Sequence, residues 1–129
     1  MYSITAETTF KARHCLHLKP NPPEPPHQHL WRVQACVQTN NLDQNQTVMD
    51  FHLLQKHLKS AVTPLSNSNH INDLPEFTHK NASTELIAQY IAQKLLTLLP
   101  QTVTLKHITL WETEQNHAAY HPQIHPKNR

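Results

Sequence analysis

Glycine does not occur anywhere in this chain of 129 residues. Glycine enters left-handed backbone conformations without steric cost, and Asn and Asp are the residues that replace it most readily. Left-handed turns must therefore fall to Asn and Asp or be avoided. Asparagine is concentrated at Asn40-Asn41 and between Ser66 and Asn72, which fits this substitution. We interpret the absence of glycine as a property of composition rather than of function.

Cysteine, charge and long apolar runs are also scarce, and each scarcity excludes a class of protein. The two cysteines, Cys15 and Cys36, form no CxxC pair, which favours a cytoplasmic protein with reduced thiols. A formal net charge of +2 with 16% charged residues is too small a bias for a nucleic-acid partner. The N-terminus lacks the pattern of a signal peptide, and no apolar run approaches the roughly 20 residues that span a bilayer. We therefore expect one cytoplasmic domain over 1–129, without a membrane or nucleic-acid partner.

Alternating apolar residues predict four strands in this chain. The first two cover residues 2–14 and 27–39, where the alternate positions that share a face are mostly apolar and the composition is rich in strand-forming residues. Two more are predicted over residues 103–112 and about 117–124. The proline-dense stretch 20–26 separates the first two strands, and its proline content excludes a helix or a central strand there.

Apolar residues at helical spacing predict two helices between the second and third strands. Asp50 can cap a helix that runs to about Val62, and Thr63-Pro64 should end it. After a polar loop, a second helix is predicted to start at Ser83 and to be stopped by Pro100. The order β-β-α-α-β-β indicates an α+β domain, in which an antiparallel four-stranded sheet carries both helices on one face.

The most informative pattern is His27-Gln28-His29, together with His14 at the end of the first predicted strand. The chain has twelve histidines, so the spacing matters more than the residue type. Alternate residues of a strand point to the same face, so His27 and His29 should project together, and His14 would complete a three-histidine set. Catalytic zinc is often held by three such ligands with the fourth position open. The spacing leaves open the alternative that these are solvated loop histidines.

A series of short motifs extends this pattern over roughly residues 8–122. They are Phe10-Lys-Ala-Arg-His14, His27-Gln-His29, Val48-Met-Asp50-Phe51, Pro64-Leu65, Asn72-Asp73, Asn81-Ala-Ser83-Thr-Glu85 and Trp111-Glu112-Thr113. In type and order they resemble the motifs of the 6-pyruvoyl-tetrahydropterin synthase family, which includes the 6-carboxy-tetrahydropterin synthases of queuosine biosynthesis. The resemblance implies the tunnelling fold (T-fold), whose subunits join sheet edges into a barrel. It therefore predicts a trimer-based homo-oligomer, with a homohexamer expected.

The resemblance also implies a set of binding residues. The family's zinc-ligating histidines correspond to His14, His27 and His29, so Zn²⁺ is the expected cofactor. The glutamate that anchors the pterin corresponds to Glu112, whose carboxylate can accept two parallel N–H bonds from the guanidine-like edge of a dihydropterin. Its alternative is an exposed charge at a strand end. The family's threonine before the second helix corresponds to Ser83, which would bind substrate or serve only as an N-cap.

The catalytic cysteine that usually precedes the His-x-His motif is missing from this chain. A proline-rich segment with Glu24 at its centre stands in its place. Cys15 and Cys36 alternate out of phase with the histidine faces, so we expect both to point away from the metal as small buried residues. Glu24 resembles a glutamate found near this place in a divergent branch of the family, where it can act as a general base. The alternative is a solvated charge in a proline loop.

The family's Asp-His pair after the first helix is replaced as well. Ser66-Asn67 occupy its place, and His70 lies a few residues further on, behind Asn69. His70 is the second candidate for proton transfer, but Asn69 cannot supply the carboxylate that orients and charges a histidine. The alternative for His70 is a surface loop residue. Gln28 stands where the family has glycine between the two motif histidines.

These expectations combine into one leading hypothesis about function. The chain should be a zinc-dependent lyase-type enzyme that acts on the side chain of a dihydropterin, either 7,8-dihydroneopterin or its triphosphate. The chemistry would be carbon–oxygen or carbon–carbon lysis, and the glutamate variant favours side-chain cleavage over the full synthase reaction. Two alternatives stay open. One is a homologue that binds zinc and a pterin without the usual turnover, and the other is a structural domain with adventitious histidines.

Overall fold

The computed structural model describes residues 1–123 and contains four strands and two α-helices. Their bounds are β1 Tyr2–His14, β2 His27–Thr39, α1 Phe51–Asn67, α2 Thr84–Leu96, β3 Thr104–Trp111 and β4 His117–Tyr120. The strands form one antiparallel sheet in the order β1-β2-β3-β4. This confirms the predicted α+β order of elements, but the fourth strand is shorter than predicted, since it ends at Tyr120 and residues 121–123 are not strand. Residue 124, where it was predicted to end, lies outside the described residues.

The first two strands pair without a slip over their whole length. Tyr2 lies opposite Thr39 at one end of this pair, and His14 lies opposite His27 at the other. Because side chains alternate across the sheet, every second residue of each strand enters the core, including Phe10 on β1 and the fully buried Trp31 on β2. The hydrophobic pattern and the register therefore agree, and they place the histidines at one shared end.

Both helices cover the same face of the sheet, and their apolar stripes form the core with it. Helix α1 packs on β1, and α2 packs on β3 and β4. The fully buried side chains that meet there include Leu54, Leu58, Ile87, Ile91 and Leu95 from the helices and Val33, Ile108 and Leu110 from the strands. The opposite face of the sheet is not covered by either helix.

The prediction that Pro64 ends the first helix is wrong, because α1 continues through it to Asn67. A proline removes one backbone hydrogen bond, but burial of the next residue can offset that loss near a helix end. Leu65 is fully buried in the core. The hydroxyls of Ser66 and Ser68 donate to the carbonyls of Thr63 and Leu65, which supplies partners in the last turn.

The second helix starts where it was predicted and ends earlier. Ser83 is its N-cap, and the helix stops at Leu96, four residues before Pro100. Thr97 caps the C-terminus, since its hydroxyl and its N–H both donate to the carbonyl of Lys94. Within residues 1–123, neither this helix nor any other is long and apolar enough to cross a membrane.

The loop between the helices contains two short 3₁₀ turns that the sequence patterns did not predict. They cover Ile71–Asp73 and Pro75–Phe77. Ile71 and Phe77 are buried, so this polar segment is attached to the core at two points. Runs of three residues are too short for a periodic signal, so the sequence pattern predicts only a loop here.

Left-handed backbone positions are not taken by Asn or Asp in residues 1–123, contrary to expectation. They fall on Gln46 and His79, with φ of 62° and 60°. At Gln46 the reason is a turn closed by Asp43, whose carboxylate accepts the N–H groups of Asn45 and Thr47. These bonds fix the residues on both sides, so Gln46 must take the strained conformation between them.

Candidate metal centre

Three histidines converge at the end of the β1–β2 pair. His14 is the last residue of β1 and lies opposite His27, the first residue of β2, while His29 follows two residues on along the same face. The ring centroids are 4.5 Å apart for His14 and His27, 4.6 Å for His27 and His29, and 5.3 Å for His14 and His29. The alternation of the strand thus brings the three predicted ligands together.

A carboxylate completes the group. Glu112 follows the last residue of β3, and its Oε1 atom lies 2.9 Å from Nε2 of His29, 3.5 Å from Nε2 of His14 and 3.8 Å from Nε2 of His27. One ligand atom from each of the four residues lies within 4.8 Å of the others, so the group could hold a metal ion. We call these four residues the histidine–carboxylate group.

The histidines present the right nitrogens to a cation. Nδ1 of His14 lies 2.7 Å from the carbonyl oxygen of Ala82, and Nδ1 of His27 lies 3.3 Å from that of Pro25. A carbonyl can only accept, so both Nδ1 atoms donate, and in the neutral imidazole this leaves the lone pair of Nε2 for the centre of the group. Nε2 of His14 and Nε2 of His29 are buried without an aligned hydrogen-bond partner. Buried nitrogens of this kind fit a bound metal ion.

Electrostatics favour the protonation states that metal ligands need. Burial lowers the pKa of His29, and the neighbouring His27 and His14 lower it further, against the opposing effect of Glu112. Burial by itself would raise the pKa of Glu112, but a hydrogen bond from Thr84 and the three histidines outweigh it, and the net shift is downward. A neutral imidazole and an ionised carboxylate are the forms that bind a metal.

Comparison with known proteins shows the family of this chain. A sequence model of the 6-pyruvoyl tetrahydropterin synthase family matches residues 3–123. The chain belongs to this family. Two curated relatives, the 6-pyruvoyl tetrahydrobiopterin synthases of Pongo abelii and Homo sapiens, are 32% and 30% identical to it over 95 residues. These matches cover 73% of this chain and 65% of each relative, so the chain spans less than two thirds of the length of the relatives it matches.

Solved structures of the family share the fold. The 6-pyruvoyl tetrahydropterin synthase of Caenorhabditis elegans superposes with a TM-score of 0.78 at 19% identity, over 95% of this chain and 96% of that one. A Plasmodium vivax enzyme of the same name, in which a catalytic glutamate is replaced by cysteine, gives 0.77 at 18% identity, over 95% and 98% of the two chains. The predicted tunnelling fold is therefore confirmed.

A buried tryptophan lies beneath the histidines of this family member. The ring of Trp31 contacts His14 at 4.8 Å and His29 at 5.4 Å between centroids, edge to face. Its indole N–H donates to the carbonyl of Ala12, and its other side stacks on Phe10. Trp31 is two residues after His29 on the same strand face, so the packing of the core fixes the orientation of two ligands.

Two asparagines hold the chain where it leaves β1. The amide of Asn72 accepts the N–H of Cys15 and donates to its carbonyl, and the amide of Asn81 does the same for His17. Each side chain thus replaces the partner strand that this segment lacks. Because Asn81 precedes Ala82, its bonds also bring the Ala82 carbonyl to His14.

Thr84, which the sequence patterns did not single out, contacts the group directly. Its hydroxyl donates to Oε2 of Glu112 at 2.9 Å. Ser83 instead accepts the N–H of Leu86, which makes it the N-cap of α2, and a substrate contact of Ser83 stays a prediction. No local sequence pattern marks Thr84, because its partner is 28 residues away and belongs to a different element.

Glu24 lies outside the group and contacts Leu16. Its backbone N–H donates to the carbonyl of Leu16, and its Oε1 accepts the N–H of Leu16, two residues after His14. The proline-rich loop is therefore tied to the end of β1. The two cysteines are outside the histidine–carboxylate group as well: Cys36 is buried as expected, and Cys15 is half-buried.

His70 is separated from the group. It lies at the start of the first 3₁₀ turn, in a cavity of about 500 Å³ that it shares with Arg13 and Gln28. Arg13 and Gln28 alternate with His14 and His27, so they belong to the other face of the sheet. Within a single subunit the structure does not bring His70 to the three histidines, and its part in proton transfer stays a prediction.

Proposed function

We propose that this protein is a zinc-dependent lyase-type enzyme that acts on the side chain of a dihydropterin, 7,8-dihydroneopterin or its triphosphate. The observation that carries the proposal is the convergence of three Nε2 atoms and one carboxylate oxygen in a member of the 6-pyruvoyl tetrahydropterin synthase family. The relatives that the chain matches are named for a pterin product, which supports the substrate class.

His14, His27 and His29 would hold the zinc. The donors would be three imidazole nitrogens, and the Nδ1 atoms of two of the rings are hydrogen-bonded. Such a donor set suits Zn²⁺. When bound, the metal supplies Lewis acidity toward the oxygens of the pterin side chain and stabilises negative charge that develops there.

Glu112 would bind the pterin ring. Its carboxylate is ionised, since the net effect of Thr84 and the histidines lowers its pKa, and it is partly exposed. An ionised carboxylate can accept two parallel N–H bonds from the guanidine-like edge of a pterin. Because Oε1 lies within 3.8 Å of all three Nε2 atoms, the carboxylate would have to turn away from the histidines before the side chain of a bound ring could reach them.

Glu24 would move protons in this reaction. Its attachment to Leu16 keeps it close to the end of β1, and prolines on both sides restrict its backbone. The Plasmodium vivax enzyme is described as having a catalytic glutamate, so this fold can use one. A glutamate in place of cysteine favours cleavage of the side chain over the full synthase reaction. His70 is the second candidate, from its cavity beside Arg13.

The test is to incubate zinc-loaded protein separately with 7,8-dihydroneopterin triphosphate and with 7,8-dihydroneopterin, and to identify products by mass. We expect product from at least one of them, and its loss in His29→Ala. Glu24→Gln should retain zinc and lose most turnover, whereas Glu114→Gln, an exposed carboxylate two residues after Glu112, should behave as wild type. Full turnover by zinc-loaded Glu24→Gln would remove Glu24 from the mechanism.

A second function is supported by the contacts of Glu24. Its carboxylate accepts a backbone N–H, and the chain lacks both the usual cysteine and the Asp-His pair. The protein would then be a catalytically impaired homologue that binds zinc and a pterin without the usual turnover. Tight binding of 7,8-dihydroneopterin with no product after hours would favour this function over the enzyme.

We also propose a trimer-based homo-oligomer, expected to be a hexamer, in the cytoplasm. Strand β1 is an edge of the sheet over thirteen residues, and β4 is the other edge, so each subunit offers two edges for pairing. Both thiols are unpaired, as in a reducing compartment. Queuosine biosynthesis is the proposed pathway if the product is a carboxy-tetrahydropterin. Light scattering of the full chain tests the oligomer size.

A further inference from the structure

A polar cavity of about 500 Å³ lies where the chain after α1 passes β1. Its side chains come from three segments: Lys11 and Arg13 from β1, Gln28 from β2, and Asn69 and His70 from the loop after α1. None of the described residues that line it carries a carboxylate. Cavities of about 300–1,000 Å³ accept small molecules, and this lining favours one with negative charge.

The two cations of β1 have no acidic partner. Lys11 and Arg13 are two residues apart on the strand, so their side chains project from the same face. The residues opposite them on β2 are Leu30 and Gln28, which are uncharged. Neither cation forms an ion pair with any residue of the range 1–123. Neighbouring like charges without a counter-charge repel each other, and an anionic ligand would relieve that repulsion.

Arg32, on the same face of the sheet, makes the contacts of a structural arginine. Its Nη1 lies 3.4 Å from the carboxylate of Glu7, and its guanidinium lies 3.7 Å from the ring centre of Trp111. Arg13 makes neither kind of contact with the described part of the chain. Its planar set of donors, which matches the geometry of phosphate, is therefore free for a ligand.

The loop side of the cavity is fixed in place without a ligand. His70 is half-buried, and the next residue, Ile71, is fully buried in the core. Asn72 bonds to both the N–H and the carbonyl of Cys15, at the end of β1. Ser68 caps the C-terminus of α1 on the other side. A wall that is already ordered reduces the entropy that a ligand loses on binding.

We propose that this cavity is a binding site for a chain of phosphate groups. Arginine contacts phosphate through parallel N–H bonds, and lysine contacts it as a point charge. Lys11 and Arg13 are separated by about 7 Å along the strand, so they can contact different groups of one chain. The amides of Gln28 and Asn69 and the ring of His70 add uncharged N–H donors. A triphosphate should therefore bind more tightly than a single phosphate.

The phosphate chain has two possible sources. Under the proposed function it is the triphosphate of 7,8-dihydroneopterin triphosphate, and this assignment of the source rests on that function. The other source is a free phosphate chain. The cavity and the histidine–carboxylate group lie at the same end of the β1–β2 pair but on opposite faces, since Arg13 precedes His14 and Gln28 precedes His29. The site itself depends only on the cations of β1, so it can be tested without a pterin.

Calorimetric titration of inorganic triphosphate into the zinc-loaded full chain tests the site. Arg13→Gln and Lys11→Gln should each weaken binding about five- to tenfold, because each removes one charged hydrogen bond. Lys59→Gln removes the same charge from the exposed side of α1 and should bind as wild type. Arg13→Lys keeps the charge and should recover part of the affinity. Zinc content and melting temperature verify that each variant keeps its metal and its fold.

Two results would overturn the site. One is the absence of triphosphate binding to the wild-type protein. The other is equal affinity in wild type, Arg13→Gln, Lys11→Gln and Lys59→Gln, which is the result expected if triphosphate binds only to the zinc. A single inorganic phosphate that binds as tightly as triphosphate would contradict the proposal of a chain.

A comparison of neopterin triphosphate with neopterin identifies the source. If the triphosphate binds more tightly to wild type and loses that advantage in Arg13→Gln, the chain belongs to the pterin. If the advantage is the same in both proteins while inorganic triphosphate still needs Arg13, the cavity takes a free phosphate chain. Conversion of 7,8-dihydroneopterin by a protein whose triphosphate affinity ignores Arg13 and Lys11 would leave the proposed function standing without this site. Binding of triphosphate that needs both cations, with no pterin converted, would leave the site standing without that function.

Discussion

The two ends of the β1–β2 pair are built from the same alternation but are stabilised differently. At the end that holds His14 and His27, which we call the histidine end, side chains bond to partners 57, 64 and 68 residues away. At the opposite end, beyond Thr39, Asp43 bonds to partners two and four residues away. The candidate site therefore depends on tertiary contacts, whereas the opposite end depends on local ones.

This difference predicts a division of substitutions into those that affect the candidate site and those that affect stability alone. A change at the histidine end should alter binding at the candidate site, either of the metal or of the pterin, because its contacts connect separate elements. A change at the opposite end should alter stability without affecting the metal.

The largest effect is expected for Trp31→Ala. Removing a fully buried aromatic side chain from a core costs about 3–5 kcal/mol of unfolding free energy. Trp31 also contacts His14 and His29, so zinc affinity should fall as well. Urea unfolding and chelator competition measure the two quantities.

The matched control for Trp31 is Val37→Ala. Val37 is fully buried on the same face of β2 but lies opposite Ile4, near the other end of the pair. It should destabilise the fold and leave the zinc affinity of the folded protein unchanged. Equal losses of zinc affinity in the two variants would contradict the division.

A smaller effect is expected for Asn81→Ala, which removes two hydrogen bonds to the backbone of His17. At about 0.5–1.5 kcal/mol for each bond, the unfolding free energy should fall by about 1–3 kcal/mol. Hydrogen exchange at the His17 amide should speed up, and zinc should bind more weakly because Ala82 loses its support. Asn45→Ala, at the opposite end, should leave zinc affinity unchanged.

Thr84→Val should weaken the binding of 7,8-dihydroneopterin by about three- to tenfold, since it removes one hydrogen bond to Glu112, worth about 1 kcal/mol at a partly exposed site. Valine keeps the shape of threonine, so the melting temperature of the metal-free protein should change little. Thr84→Ser restores the hydroxyl and should recover the affinity. If Thr84→Ser does not recover the affinity, the methyl group rather than the hydrogen bond positions Glu112.

The same division explains what could be predicted from the sequence. Strands β1 and β2 have the predicted bounds, because period-two alternation is a local signal. The three histidines follow from that alternation once the strands pair. Glu112 was assigned to the site through family resemblance, and its approach to the histidines follows from the neighbouring positions of β2 and β3 in the sheet.

Features that depend on tertiary packing could not be predicted. The sequence around Pro64 indicates a helix end, and only the burial of Leu65 shows why α1 continues. The bond from Thr84 to Glu112 and the bonds of Asn81 join distant segments, so no local pattern marks them. The position of His70 relative to the three histidines depends on the 3₁₀ turns, which have no periodic signal in the sequence.

The smallest effect is expected at the opposite end, for Asp43→Asn. The carboxylate of Asp43 accepts the N–H and hydroxyl of Thr47 and the N–H of Asn45. The bonds from Thr47, with a further contribution from Asn45, lower the pKa of Asp43. Asparagine keeps one acceptor oxygen, so the melting temperature at pH 7 should fall less than in Asn81→Ala, and zinc affinity should not change.

The pH dependence of the difference in melting temperature between wild type and Asp43→Asn gives a sharper test. A carboxyl group whose pKa is lower in the folded state stabilises the fold above its unfolded pKa, about 3.9, and this contribution is lost as pH falls through the lower folded value. The difference in melting temperature between wild type and Asp43→Asn should therefore be constant from pH 7 to about pH 5 and shrink below about pH 4. A difference that does not shrink on acidification would show that the neutral side chain closes the turn equally well. A change in zinc affinity would show that the two ends are coupled through β1 and β2, and the opposite end would then not be independent of the candidate site.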